Sequence, residues 1–216
     1  MLITDITQQI KNPQRYSVFL DGEFAFGIDA VDLLYHKLEI GKILQKEQYN
    51  NLVNELEFTK AKAVAVRYLG QARSVRQMRD KLTEKEFSPA NIENTIDFLM
   101  QRNYLNDIEF AKLFISHKTK ISNFGRRRIE NELRLKGVAE ADIAAAYNCP
   151  DMQPEGENEG DDEGTARRAL AKKIRNKNIT EINNNPKEIN RLVNFLARRG
   201  FDFELAQKIV DEQLGI

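Results

Sequence analysis

One spacing of apolar residues occurs three times in the chain after residue 59. In the first copy, Met78, Leu82, Phe87, Ile92 and Ile96 are separated by 4, 5, 5 and 4 residues. The same intervals separate the members of two further copies, which are Ile129, Leu133, Val138, Ile143 and Tyr147, and Leu192, Leu196, Phe201, Ala206 and Val210. A repeated unit of this size buries its apolar face against its neighbours. The spacing therefore predicts an array of tandem helical repeats.

Each copy is typical of two short helices joined by a turn, and a preceding amphipathic segment completes the unit with a third helix. The turns are predicted at Glu86-Phe87-Ser88, Gly137-Val138 and Gly200-Phe201, and the first helices at Thr59 to Leu69, Ile108 to Lys120 and Thr165 to Ile174. We predict a mainly α fold of tandem three-helix repeats. Repeat one is expected at 58–107, repeat two at 108–150 and repeat three at 165–216.

The N-terminal region, 1–57, has strand signals instead. Two short apolar runs, 15–20 and 23–28, flank Asp21-Gly22, a dipeptide that favours a two-residue hairpin turn. We predict a β-hairpin with Phe19, Phe24 and Phe26 on one apolar face, and a third strand from 2–10. A helix is expected from Asp29 through Leu38 to Gly41, with Val31, Leu34 and Tyr35 on its apolar side, and another over 46–56.

Charge is segregated along a chain whose formal net charge is zero. Residues 151–163 contain seven acidic residues and no basic one, so the remainder carries a net charge of +7. This stretch is almost free of apolar residues and cannot bury enough surface to order itself. We predict an acidic flexible linker at 151–164. It is expected to explain why copies two and three lie 63 residues apart when copies one and two lie 51 apart. A polar loop is predicted at 176–185.

No catalytic residue, metal site or cofactor site is predicted. The two histidines, His36 and His117, lie 81 residues apart without other ligand residues at metal-binding spacing. Cys149, the single cysteine, has no nearby cation in the sequence to activate it and suits a reducing compartment. The chain has no apolar run long enough to span a membrane and no secretory signal at its N-terminus. We expect a cytoplasmic protein without membrane contact.

Basic residues are the candidates for a binding surface. The predicted partner-binding or nucleic-acid-binding residues are Arg67, Arg73, Arg76, Arg126, Arg127, Arg128, Arg134 and Lys136. Arg126 and Arg127 are expected to project away from the apolar side of their helix, free to bind phosphates or carboxylates. Cations at a helix N-terminus oppose the helix dipole, which favours a binding role over a solvated helix face.

Several segments resemble the RecX family. In repeat one these are Ala65-Val66-Arg67-Tyr68-Leu69, Arg73-Ser74, Lys81-Leu82 and Asn103-Tyr104-Leu105-Asn106-Asp107; in repeat two they are Phe110-Ala111, Phe124-Gly125, Arg128-Ile129, Glu132-Leu133 and Lys136-Gly137. Arg15-Tyr16 and Asp21-Gly22-Glu23-Phe24 extend the likeness to the hairpin. The resemblance implies that the repeats form an elongated, curved array that lies in the groove of the RecA–DNA filament and inhibits RecA. It implies a regulator of homologous recombination, DNA repair and the SOS response.

Two other classes of function compete with this interpretation. A helical DNA-binding protein could use repeat two as a helix-turn-helix-like reader, with the basic face of repeats one and two on the phosphates. An enzyme would need an active site, and the sequence contains no recognisable one. The zero net charge favours weak or indirect binding to single-stranded DNA. We therefore expect a non-enzymatic monomer whose partner is the RecA filament.

Overall fold

The computed structural model describes residues 1–150 and 162–216. The chain divides into two compact units, residues 1–70 with 79–99 and residues 71–78 with 100–216. The linker predicted at 151–164 lies outside the described residues except for its last three residues.

A three-stranded antiparallel sheet opens the first unit, as the sequence predicted. The strands are β1 (Ile3–Gln9), β2 (Asn12–Leu20) and β3 (Glu23–Asp29), in the order β1-β2-β3. Asp21 and Gly22 form the β2–β3 turn with φ values of 49° and 89°. Such positive φ values at both central residues are what a two-residue hairpin turn requires.

The apolar face of the sheet differs from the prediction. The pairing shifts by one residue between Val18 and Phe19, so that Val18 lies opposite Phe26 while Phe19 lies opposite Phe24. An extra residue in one strand of a pair changes which side chains share a face. Phe26 is buried with Val18, whereas Phe24 is 61% exposed and makes an edge contact with Phe19.

The helix that follows the sheet is shorter than predicted. Helix α1 spans Ala30–Tyr35, and Lys37, with a φ of 49°, ends it before Gly41. Val31, Leu34 and Tyr35 are exposed, and only Leu38, beyond the helix, is buried. The helical spacing of these apolar residues therefore did not indicate a helix that packs against the core.

One long helix replaces two predicted ones. Helix α2 runs without a break over Lys46–Tyr68. It is followed by α3 (Val75–Glu84) and α4 (Pro89–Gln101). The Glu57 carboxylate on α2 accepts hydrogen bonds from the backbone N–H and hydroxyl of Ser88, at 2.8 and 2.6 Å, and from the Asn91 amide. Burial opposes ionisation of Glu57, but these hydrogen bonds and Lys60 outweigh it and lower its pKa. A side chain of α2 thus secures the start of α4.

The second unit contains the remaining helices. They are α5 (Asp107–His117), which continues into a π-helical turn over Lys118–Ser122, then α6 (Arg126–Leu135), α7 (Glu140–Tyr147), α8 (Asp162–Ile174), α9 (Ile179–Asn183), α10 (Pro186–Arg198) and α11 (Phe203–Leu214).

The three-helix organisation is confirmed. The end of α2 with α3 and α4 forms repeat one, α5 to α7 form repeat two, and α8, α10 and α11 form repeat three. All fifteen residues of the apolar spacing are buried except Phe87 and Tyr147, which are half-buried. The turn before each third helix uses the left-handed region at equivalent positions, with φ values of 59° at Glu86, 81° at Gly137 and 95° at Gly200.

Repeat three departs from the predicted boundaries. Helix α8 begins at Asp162, so Asp162, Glu163 and Gly164 are helical. The predicted polar loop contains the short helix α9, because the Asn178 side chain caps its first turn and that of Asn185 caps α10. Asp107 precedes Ile129 by 22 residues, but Asp162 precedes Leu192 by 30. Most of the extra length of repeat three therefore lies between its first two long helices, around α9, and not in the acidic segment.

Residues at equivalent positions at the start of two of the middle helices form similar hydrogen bonds, and we call these two sets of contacts the first and second joints. At the first joint, the Ser74 hydroxyl donates to the carbonyl of Lys136 at 2.6 Å, and the Val75 N–H donates to the Asp107 carboxylate at 2.8 Å. At the second joint, the Gly125 N–H donates to the carbonyl of Arg199 at 2.9 Å, and the Arg126 N–H to the Asp162 carboxylate at 3.0 Å. At both joints, the start of a middle helix forms hydrogen bonds with the turn and with the first helix of the next repeat.

The second joint requires glycine on both sides. A Cβ added to Gly125 would lie 2.7 Å from the Gly200 carbonyl and from the Phe201 ring. A Cβ added to Gly200 would lie 2.4 Å from the Cβ of Arg128. No non-bonded carbon pair tolerates such distances, so the two repeats approach this closely only because both positions lack side chains.

We predict that Gly200→Ala lowers the free energy of unfolding by about 3 kcal/mol or more, since it combines the unfavourable φ with a backbone clash. Urea denaturation followed by circular dichroism measures the change. Gly41→Ala is the matched control, because Gly41 has a φ of 90° and no atom within 4 Å of an added Cβ. It should cost about 1 to 2 kcal/mol. Equal losses in the two variants would contradict the close packing of this joint.

Candidate partner-binding surface

The predicted binding residues divide between the two units. Arg67 lies exposed on α2 in the first unit, at the edge of a cleft of 310 Å³ that also contains Arg15, Lys60, Asp29 and Asp32. Arg15 forms an ion pair of 3.3 Å with Asp29. The other seven predicted residues belong to the second unit.

Arg73 lies two residues before α3, and Arg76 lies in its first turn. Arg73 donates to the side-chain oxygen of Gln71 at 3.1 Å. The aliphatic part of Arg76 packs on the Gly137 turn, where an added Cβ would lie 2.3 Å from the Cδ of Arg76. The stem of Arg76 is therefore part of the joint between repeats one and two.

The N-terminus of α6 places Arg126 against its own helix. Its Nε donates to Glu130, one turn later, at 2.7 Å, and its guanidinium lies 4.3 Å above the ring of Tyr147. The hydrogen bond to Glu130 raises the pKa of Arg126, and burial raises that of Tyr147. Sequence reasoning expected this guanidinium to be free. It is instead paired, because a carboxylate four residues along a helix faces it.

Arg128 belongs to a cluster of cations around one aromatic ring, which we call the Phe124 cluster. Its guanidinium lies 3.9 Å from the Phe124 ring centre, Lys118 lies 5.2 Å from it and Arg199 lies 5.5 Å from it. Each of these distances is within the range of a cation–π interaction.

Hydrogen bonds attach the Phe124 cluster to both repeats. Arg128 donates to the Arg198 carbonyl at 3.1 Å and forms an ion pair with Glu132 at 3.2 Å. Arg199 donates to the carbonyls of Ser122 and Asn123. Burial lowers the pKa of Arg199, with the neighbouring charge of Arg128 contributing. The cluster stabilises the joint between repeats two and three.

The last two predicted cations are also partnered. Arg134 holds Glu140 through two hydrogen bonds, of 2.7 and 2.9 Å, and its pKa is raised chiefly by that pairing. The ammonium of Lys136 lies 5.5 Å from the Phe114 ring centre. These contacts lie at the C-terminal end of α6 and reduce the charge available to a partner.

Arg127 differs from its neighbours. Its side chain is 74% exposed, and among residues 1–150 and 162–216 its ion-pair partner is Asp202, which lies 3.8 Å away and is 61% exposed. Ion pairs between such exposed groups contribute little, so the guanidinium is available to a partner. Arg127 lines a groove of 420 Å³ between α6 and the α10–α11 turn.

Of the residues that line this groove, sequence reasoning named only Arg127 and Arg128 as binding residues; those it missed include Leu135, Arg198 and Phe203. Leu135 is 81% exposed and Phe203 is 60% exposed, although both are large and apolar. Leu135 lies two residues after the core position Leu133, and residues two apart on a helix point in nearly opposite directions. An apolar residue two positions after a core residue could therefore have indicated an exposed apolar side chain.

The third helix of each repeat carries a net negative charge. Helix α4 contains Glu93 and Asp97 and no cation, and α7 contains Glu140 and Asp142 and no cation. Helix α11 has three carboxylates against one lysine. The middle helices α6 and α10 each have an excess of cations. Positive charge thus follows the middle helices of the repeats.

Within residues 1–150 and 162–216, no three His, Cys, Asp or Glu side chains come together as metal ligands. His36 lies 3.9 Å from Glu55 on the first unit. None of the helices in the described part of the chain has the length and apolar character needed to cross a membrane.

The fold is that of a mostly helical protein of tandem three-helix repeats with a small N-terminal sheet. Four family models match in the order of the structural elements: the regulatory protein RecX N-terminal domain at 1–45, and the first, second and third RecX three-helix domains at 61–99, 106–146 and 161–210. The chain belongs to the RecX family, as the resemblance in the sequence predicted.

Individual relatives agree along nearly the whole length. Regulatory protein RecX of Bacillus pumilus is 32% identical over 214 residues, which are 97% of this chain and 76% of the relative. Regulatory protein RecX of Caldanaerobacter subterraneus is 32% identical over 98% of this chain and 99% of its own. A crystal structure of regulatory protein RecX has a TM-score of 0.66 at 24% identity and covers 97% of this chain and 98% of its own. That structure supports the fold alone.

We predict that the adjacent cations Arg127 and Arg128 affect stability differently. Arg128→Ala removes the Phe124 contact and the bond to the Arg198 carbonyl, and should lower the free energy of unfolding by about 1 to 2 kcal/mol. Arg127→Ala should change it by less than about 0.5 kcal/mol. Urea denaturation measures both. A loss at Arg127 equal to that at Arg128 would show that Arg127 is also structural.

Proposed function

We propose that this protein is a non-enzymatic regulator that binds the RecA–DNA filament and lowers RecA activity. Membership of the RecX family carries the proposal, because that resemblance implies RecA as the partner. The exposed guanidinium of Arg127 supports it, since an available Arg suits the carboxylates of a protein partner. We place this activity in the cytoplasm and assign it to a monomer, because repeat arrays fold without a partner subunit.

Direct DNA reading is the alternative, and the charges of the third helices argue against it. In a helix-turn-helix unit the second helix of the motif enters the major groove, and here that position belongs to α4, α7 and α11. Each of these helices carries more carboxylates than cations. Phosphates would repel all three. Any binding to bare single-stranded DNA should therefore be weak.

We predict that the protein inhibits ATP hydrolysis by RecA on single-stranded DNA at concentrations too low to coat the DNA. Arg127→Glu should raise the concentration needed for half inhibition by about tenfold or more, since it reverses an exposed charge without touching the core. Arg175→Glu is the matched control, because Arg175 is also exposed in the second unit but lies outside the groove.

Binding of the same preparations to bare single-stranded DNA, measured at two salt concentrations, separates the two candidate functions. Unchanged ATP hydrolysis together with tight, salt-sensitive binding to bare DNA would contradict the regulator and favour the DNA-binding protein. Inhibition of ATP hydrolysis in proportion to the fraction of DNA that the protein coats would also favour the DNA-binding protein.

A further inference from the structure

The groove between α6 and the α10–α11 turn combines exposed apolar side chains with exposed cations. We propose that it is a docking site for an acidic peptide segment of a partner protein that carries a large apolar side chain between its carboxylates. This proposal rests on the proposed function for its biological partner. The binding chemistry follows from the groove itself.

The apolar part of the groove is supplied by Leu135 and Phe203, on either side of the joint between repeats two and three. Their exposed fractions, 81% and 60%, are high for residues of this size. Phe201, which lies between α10 and α11, is 2% exposed and belongs to the core beneath. A partner side chain that enters here would remove Leu135 and Phe203 from water, which is favourable in proportion to the apolar surface that is buried.

The charged part of the groove favours carboxylates. Arg127 is 74% exposed, and Arg198 is exposed with its Nε donating to the Asn194 carbonyl at 3.2 Å. Arg128 completes three cations in the lining. The lining includes one carboxylate, Glu132, which forms an ion pair with Lys118 at 2.8 Å. Guanidinium groups bind carboxylates through paired, parallel hydrogen bonds.

A peptide suits this arrangement better than single-stranded nucleic acid does. Nucleic-acid channels need a continuous cationic track for the backbone and aromatic faces for successive bases. Here Glu132 interrupts the track and Asp202 lies beside Arg127. Phe203 is the one exposed aromatic ring among the lining residues, which is too few for successive bases to stack. A peptide can place its carboxylates on Arg127 and Arg198, its apolar side chain on Leu135 and Phe203, and its backbone N–H groups towards Glu132 and Asn131. Interface energy concentrates in such aromatic and Arg contacts.

Fluorescence anisotropy with the full-length protein tests the proposal. The probe is a fluorescein-labelled peptide in which Glu residues flank a central Phe and Leu. Three further probes are the same peptide with Phe and Leu replaced by Ser, the same peptide with Glu replaced by Gln, and labelled oligo(dT). We expect saturable binding of the first peptide, and binding weakened about tenfold or more by either change to the peptide.

Variants locate the binding site. Leu135→Ser, Phe203→Ser and Arg127→Ala should each weaken peptide binding by about fivefold or more. Leu113→Ser is the matched control for the apolar pair, since Leu113 is 60% exposed on α5 outside the groove. Arg175→Ala is the control for the cation. Circular dichroism checks that every variant is folded, which the exposure of these side chains predicts.

Three results would overturn the proposal. They are no saturable peptide binding up to about 1 mM, equal weakening by the groove variants and the controls, and oligo(dT) binding that depends on the groove while peptide binding does not. The proposed function can fail separately. If the peptide binds in the groove but the wild-type protein leaves ATP hydrolysis by RecA unchanged, the docking site stands and the partner is a different acidic protein.

Discussion

The close approach of successive repeats is the constraint on which the second unit depends. At the second joint, the backbone of Gly200 lies against Arg128, and Gly125 lies against Gly200 and Phe201. The bond from the Gly125 N–H to the Arg199 carbonyl and the bond from the Arg126 N–H to Asp162 fix the start of α6 at this distance. The groove lined by α6 and the α10–α11 turn exists because of this packing. Its cations and exposed apolar residues are thus positioned by a contact that only glycine permits.

The sequence predicted the repeated fold well, because burial imposes one spacing on every copy. Local features of the backbone, such as strand register and helix caps, could not be predicted from the sequence. The shift between Val18 and Phe19 changed a strand face, and the caps at Asn178 and Asn185 turned a predicted loop into a helix and a helix start. Helical spacing of apolar residues predicts burial only when another part of the protein packs against that face of the helix. Val31 and Leu34 on α1 have the spacing but are exposed.

The binding surface was predictable in composition but not in detail. Pairs four residues apart, such as Arg126 with Glu130, could have been inferred from helical geometry. The position of Arg128 over Phe124 and beneath the Arg198 carbonyl depends on a repeat 70 residues away in the chain. Basic residues in the sequence therefore separate into those that hold the repeats together and those whose side chains stay exposed, and only tertiary contacts distinguish them. Arg127 is the clearest member of the second class.

The central claim is that the middle-helix side of repeats two and three contacts the RecA filament. Hydrogen–deuterium exchange of this protein, free and bound to RecA assembled on single-stranded DNA, tests it most directly. We expect slower exchange in the first turn of α6 and in the segment from Arg198 to Phe203, with α4 and α7 unchanged. Protection confined to α4 and α7, or the same protection pattern with single-stranded DNA in the absence of RecA, would contradict the account.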